Sequence, residues 1–223
     1  MDDKFAIKLR HICVKQKGHR EGLYNVSLTI QPGEAVAFLQ KDRPQELYCC
    51  LRNLLSRSNE PASGILRING TVKTLENVRD FFRFNTSGRK NIYRKGAEYG
   101  LEKMEIEELE EEILAFAELG DLVGEPVKTY SEEQRMRLAF AIIYCMRDRV
   151  LLLDPTFALK EEAFLQKCQK KLEAWLQTGG ILLLVTDSVD EANFFCKRGI
   201  VMRNGRLVED GEISTALEHF QHL

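Results

Sequence analysis

Apolar positions in this chain recur with three different periods, and each period marks one region. Near the N-terminus Phe5, Ile7 and Leu9 alternate with Ala6, Lys8 and Arg10, and LYNVSLTI (23–30) repeats the period of two, so both segments read as strands. QPGE (31–34) reads as a turn before the short apolar strand AVAFL (35–39). PASG (61–64) breaks the chain, and ILRING and TVKTL then suggest a hairpin closed by Asn69–Gly70. From about Ser87 to Met146 the period becomes helical. The acidic run EKMEIEELEEEILAFAELGDL lies there, and it reads as a helix with a solvated charged face. Ser131 and Gln134 have the spacing of a capping box that opens the next helix.

The last third returns to strands and helices in alternation. VLLLD (150–154) and ILLLVTD (181–187) are unbroken apolar runs ending in aspartate, the pattern of parallel strands covered on both faces. A helix over about 161–177 separates them, and GIVMRNGRLVEDG follows as a hairpin turning at Asn204–Gly205. The expected fold class is therefore α/β: a parallel core with an inserted helical block at 87–147.

Composition narrows function without choosing it. The 223 residues are 44% hydrophobic and 30% charged with net charge −2, enough for a sizeable core and too weakly charged for a bulk nucleic-acid or anionic-membrane binder. MDDKFAIKLR has charges where a signal peptide needs an apolar stretch, and LAFAIIYCM (138–146) is too short to span a bilayer. The six cysteines lack CxxC or metal-like spacing and read as reduced thiols of a cytoplasmic protein. Cys49 and Cys50 are adjacent on a helix and point apart, which favours packing over a redox pair.

The stretch GEAVAFLQKDRPQELYCCLRNLL (33–55) raises the functional question. A buried strand, a tight loop and an amphipathic helix carrying Leu47, Cys50, Leu51, Leu54 and Leu55 have the layout of a phosphate-binding turn. The glycines, lysine and hydroxyl of such a turn are missing.

The segments GEAVAFL, PASGILRING, TSGRKNIY, FAELGDL, PVKTYSEEQRMRLAFA, VLLLDPTFALKEEAFLQKC and RNGRLVEDG resemble, in order, an ABC-transporter nucleotide-binding domain. The branch they resemble most is that of the ATP-binding subunits exporting teichoic acid, O-antigen and capsular polysaccharide. The resemblance covers essentially the whole chain and implies a P-loop NTPase-like ABC ATPase fold, one nucleotide-binding domain over 1–223 with a mostly parallel core sheet, an N-terminal antiparallel β subdomain and an inserted helical subdomain. The family's GRNGAGKST corresponds to QKDRPQELY (40–48), so Gln40, Lys41, Asp42, Arg43, Gln45, Glu46 and Leu47 stand at the nucleotide-loop positions. Glu46 replaces the lysine and Leu47 the magnesium-binding hydroxyl. The family's Ser-Ser-Gly signature is Ser131-Glu132-Glu133 here. Its magnesium-coordinating aspartate is kept as Asp154, its general-base glutamate is Pro155, and its switch histidine is Asp187. No aromatic for adenine occurs at Val14, Lys15 or Gln16.

The resemblance implies ATP and Mg²⁺ for the family, yet these replacements argue against hydrolysis, and for this chain no catalytic residue, metal ligand or cofactor is expected. Glu46, Glu133 and Asp187 put carboxylates where the family has phosphate ligands. Two like charges about 4 Å apart repel by about 4 kcal/mol at an effective dielectric of about 20, which Lys41 and Arg43 offset only in part. Proline at 155 has no titratable group to act as a base. Asp42-Arg43-Pro44-Gln45 reads as a capping box, so the helix closes its own N-terminus, with Glu46 in its first turn.

Three readings follow. In the first, the chain is a degenerate ATP-binding subunit docked on a membrane permease at the inner face of the cell membrane, beside an intact ATPase subunit; Phe81, Phe82 and Phe84 mark the docking segment, and local core is their alternative reading. In the second it is a cytoplasmic pseudo-ATPase turned interaction or regulatory protein. In the third it is an active ATPase with a rewired site. The chain's last residues follow soon after the final hairpin, so no carbohydrate-binding extension is expected. A homodimer closed as in the family would set Glu46 against Glu133, so a monomer, or a dimer through some other surface, is expected.

Overall fold

The computed structural model describes residues 7–15, 22–75, 78–155 and 161–223. In chain order come strands β1 (Ile7–Val14), β2 (Leu23–Ile30) and β3 (Ala35–Leu39), helix α1 (Pro44–Leu55), and strands β4 (Ser63–Ile68) and β5 (Val72–Leu75). Helices α2 (Val78–Phe81), α3 (Gly88–Glu98), α4 (Lys103–Ala117) and α5 (Glu132–Cys145) follow. The remainder is β6 (Val150–Leu153), α6 (Glu162–Gln177), β7 (Ile181–Thr186), α7 (Val189–Phe195), β8 (Arg198–Arg203), β9 (Arg206–Glu212) and α8 (Ile213–Gln221). Contacts divide the chain into two compact units: Met1–Thr74, Asp148–Pro155 and Gln169–Leu223 form the first, Leu75–Arg147 and Thr156–Cys168 the second.

The first unit holds a six-stranded sheet in the order β5-β6-β7-β3-β8-β9 and a three-stranded sheet in the order β2-β1-β4. As the apolar runs imply, β6, β7, β3 and β8 are parallel neighbours, and every residue of β3, β6 and β7 is buried. β8 and β9 form the expected hairpin, with Asn204 and Gly205 both at positive φ (49° and 71°), the backbone such a turn requires. One apolar cluster joins Ile7, Ile12 and Leu28 of the small sheet, Leu47, Leu51 and Leu54 of α1, and Phe38, Leu152, Leu183 and Ile200 of the large sheet. Burial of each of those α1 leucines contributes about 1.5–3 kcal/mol, so packing rather than propensity fixes this helix.

Three local expectations are corrected. Ile68 and Val72 do not belong to one hairpin: β4 pairs with β1 in the small sheet, whereas β5 is the edge of the large one. Gly70, at φ 102°, turns the chain from one sheet to the other. The period of two expected over 23–30 is broken once, since Tyr24 and Asn25 are both exposed and Asn25 sits at φ 56°. In β1 residues 7–10 alternate as expected, and a bulge at Arg10–His11, where His11 has φ 52°, then lets Ile12 and Val14 face inward. Phe5 and Gln16 lie outside the described residues. The capping box expected at the start of α1 does not form either, and Arg43 is its N-cap.

The second unit is helical. Ser131 caps α5 with the anticipated box: its Oγ accepts from Gln134 N–H at 3.1 Å, and Gln134 Oε1 accepts from Ser131 N–H at 2.8 Å. Asn91 is fully buried and holds the turn before α3, with Oδ1 accepting from Arg83 N–H and Nδ2 donating to the carbonyls of Arg83 and Ser87. The acidic face of α4 is largely exposed, but Glu110 is buried, accepting from Tyr93 Oη at 2.6 Å and from Arg89. Phe116, Phe140, Tyr144 and Phe164 form an aromatic cluster with ring centroids 5.5–6.1 Å apart. Among the described residues no helix is long and apolar enough to cross a membrane, and all six cysteines are free.

Candidate functional site

Parallel strand order brings the carboxyl ends of β6, β7 and β3 side by side, the usual place for a ligand in an open α/β sheet. The chain leaves β3 through Gln40, Lys41, Asp42 and Arg43 before α1 begins at Pro44. Asp154 and Pro155 follow β6, and Asp187 follows β7. Of the positions singled out in the sequence, those at 40–47, 154–155 and 187 therefore share one sheet edge. Ser131, Glu132 and Glu133 belong to the second unit.

The loop after β3 is held by side chains of the chain itself. Gln40 is 3% exposed, and its Nε2 donates to the carbonyls of Asp42 (2.8 Å) and Arg43 (3.3 Å). Two carbonyl oxygens thus converge where an anion cradle would present N–H groups. Arg43, not Asp42, is the N-cap of α1; it sits in the left-handed region (φ 52°, ψ 54°) and gives no side-chain cap. The expected capping box does not form, because Gln45 turns the other way. Its Nε2 donates to Asp154 Oδ2 at 2.7 Å, across 109 residues of sequence, and Asp154 is 1% exposed. An uncharged amide stands against the carboxylate that the resemblance assigns to magnesium.

The charged groups nearby are also engaged. Glu46 lies in the first turn of α1 and accepts from Arg43 Nη1 at 3.2 Å. Lys41 reaches the other way, to the carbonyl of Gln221 at the end of α8 (3.1 Å), with its ammonium over the Phe220 ring. Leu47 is buried in the core. Pro155 is half-buried and Asp187 exposed; next to Asp187, burial pushes the Glu191 carboxyl above its usual range, although Thr186 Oγ1 donates to it at 2.8 Å. Val14 is buried and Lys15 exposed, so neither offers an aromatic face. Among the described residues no group of three or more histidines, cysteines or carboxylates is placed to hold a metal.

In the second unit Ser131 is spent on the α5 cap, and Glu132 and Glu133 occupy its first turn. Phe81 and Phe82 are buried there in a T-shaped pair, with Lys95 Nζ 4.4 Å from the Phe81 centroid. Phe84 is half-buried beneath Arg135. The roles of Gln40, Gln45 and Lys41 as internal donors were not legible in the sequence. The available signal was the strand order, which sets the end of β3 next to β7 and β6 and so brings Gln45 within reach of Asp154.

No protein-family model matches the chain. It is 28% identical over 199 residues to "Teichoic acids export ATP-binding protein TagH" of Lactiplantibacillus plantarum, covering 89% of this chain and 54% of that protein. It is 26% identical over 197 residues to "O-antigen export system ATP-binding protein RfbB" of Klebsiella pneumoniae, covering 88% and 79%. The chain thus spans about half the length of the first of these relatives. A solved structure, cbiO1 of Clostridium perfringens, part of an ABC transporter complex, superposes with a TM-score of 0.75 at 18% identity, covering 97% of this chain and 92% of that one. The chain is therefore a homologue of the ATP-binding proteins of teichoic-acid and O-antigen export, and its fold is that of ABC ATPase subunits.

Proposed function

We propose that this chain serves an exporter of a cell-surface polymer as an ATP-binding-type subunit that neither holds ATP–Mg²⁺ nor hydrolyses it. The observation that carries the reading is the Gln45–Asp154 hydrogen bond, 2.7 Å long, in which the exposed Gln45 covers a carboxylate that is itself buried. It gives the carboxylate the partner that a metal would otherwise supply. Gln40 fills the loop with carbonyl-directed bonds, and Glu46 lies where the family has lysine. The residues present do not fit a triphosphate and its magnesium, so no hydrolytic step is assigned to them.

In this reading the second compact unit, which contains 87–147, is the inserted helical block. The chain works from the cytoplasm against a permease, through the segment around the half-buried Phe84, beside an intact ATPase subunit. The likeness to export ATP-binding proteins supports the transport setting. The alternative, a pseudo-ATPase acting away from any transporter, is distinguished by co-purification with a permease encoded nearby.

The test is thermal unfolding with and without millimolar ATP–Mg²⁺. A ligand binding only the native state adds RT ln(1 + [L]/Kd), about 2.7 kcal/mol at a hundredfold excess over Kd. No shift is expected. A rise of several degrees, or magnesium-dependent phosphate release, refutes the reading.

A further inference from the structure

The three strands of the small sheet contain Lys8, Arg10, His11 and Arg67 but no aspartate or glutamate, in a chain with 34 acidic residues. Their cations gather on the outward face. Lys8 lies directly opposite Arg67 in the antiparallel β1–β4 register, and opposite Thr29 on the β2 side. Arg10 is two residues along on the same face, opposite Ile65, which is 52% exposed. Lys8, Arg10, Ile65 and Arg67 line a depression of about 90 Å³. None of the three cations hydrogen-bonds to or pairs with a described group.

Like charges directly opposite on a ladder, with Cβ atoms about 5 Å apart, destabilise a sheet. Here that repulsion is built into the middle of the face, and among the described residues no carboxylate pairs with these cations to relieve it. We propose that this face is a binding site for a phosphate group. Three cations converging on one small depression suit a single polyvalent anion. An acidic peptide would spread its carboxylates along the strands instead. Arg10 and Arg67 supply planar forks for paired phosphate oxygens, Lys8 supplies a point charge, and Ile65 offers an apolar rim to the carbon part of an ester. A free phosphate ester and a lipid headgroup share this chemistry. The site is independent of the turn after β3 and of the function proposed for it.

The full chain is titrated with inorganic phosphate by calorimetry, and with phosphatidic-acid-containing vesicles by co-sedimentation, each at constant ionic strength. Saturable binding in either arm is expected. It should weaken about tenfold in Arg67→Gln, equivalent to roughly 1.4 kcal/mol for one charged hydrogen bond, and vanish when Lys8, Arg10 and Arg67 are all glutamine. Binding of phosphate assigns a soluble ester; binding of vesicles alone assigns a headgroup. Binding in neither arm, or binding that survives the triple substitution, overturns the proposal. Arg67→Glu provides a second readout, since it turns the like-charged pair into an opposite one. It should melt higher than the wild type without phosphate and gain nothing when phosphate is added. A variant that melts no higher, or that phosphate still stabilises, also overturns it.

Discussion

Gln45→Met removes one donor while keeping the length and most of the volume of the side chain, so it isolates the bond to Asp154. That bond runs from a neutral amide to a carboxylate that is 1% exposed. Hydrogen bonds to charged groups contribute about 1.5–3 kcal/mol, and removal of one partner exposes the desolvation cost of the other. Asp154 has further interactions that persist in the variant, which places the expected loss at about 2 kcal/mol. For a chain of this size about 3 °C accompanies each kcal/mol, so the midpoint should fall by about 6 °C. Asp154→Asn keeps an acceptor but removes the charge, and a double-mutant cycle with Gln45→Met should give a coupling of about 1 kcal/mol. The assays are urea unfolding for the free energies and thermal unfolding for the midpoint, both followed by the fluorescence of Trp175. It is the sole tryptophan, 7% exposed, packed on Gly180, and in the same compact unit as Gln45 and Asp154. A loss within about 0.5 kcal/mol, the range of ordinary surface changes, together with no coupling, would show that the bond does not hold this turn together.

Arg43→Gly relieves a left-handed backbone at an exposed position and should stabilise the chain by up to about 1 kcal/mol despite the lost Glu46 contact, read as a higher urea midpoint. Cys13 should be the first thiol alkylated by iodoacetamide, identified by peptide mass mapping. Hydrogen bonds from Ser63 and from the Asn25 backbone lower its pKa, so its thiolate persists to lower pH than that of an ordinary thiol and its rate should fall later as pH is reduced. Burial pushes Cys50 up to about 12 and raises Cys168 and Cys196 further, so these three should react only on unfolding. Light scattering of the purified chain should give one molar mass with and without ATP–Mg²⁺; a nucleotide-dependent dimer contradicts the proposed function.

Much of the fold was legible because single residues dictate it locally. Asn204–Gly205 needs positive φ twice, Ser131 and Gln134 satisfy each other's backbone, and the runs before Asp154 and Asp187 are too continuously apolar for anything but covered parallel strands. The same local logic failed at Asn69–Gly70, where the turn is real but its two strands join different sheets, a choice made by distant partners. It failed again at Asp42, since spacing alone cannot show that Gln45 has a stronger acceptor in Asp154 than in its own helix start. The bulge at His11 left no mark, because histidine is no signal for positive φ. The candidate site was read as a set of missing groups. What took their place depends on contacts such as Lys41 with Gln221, 180 residues away, which no local pattern contains.

The strand order also sets a timetable for synthesis. The sequence AVAFL of β3 is apolar throughout, yet its two sheet neighbours are Ile181–Thr186 and Arg198–Arg203, with Ala35 paired to Leu182. At about 5–20 residues per second the ribosome delivers those partners about 7–30 s after β3 itself. Meanwhile β1, β2 and β4 are all made by residue 68 and can form the small sheet, leaving β3 and α1 against it with one face uncovered. That interval is long compared with the microseconds in which apolar segments collapse. A nascent chain stalled between about residues 70 and 180 should therefore be a good chaperone client and, without one, a source of aggregates, however stable the finished protein proves to be.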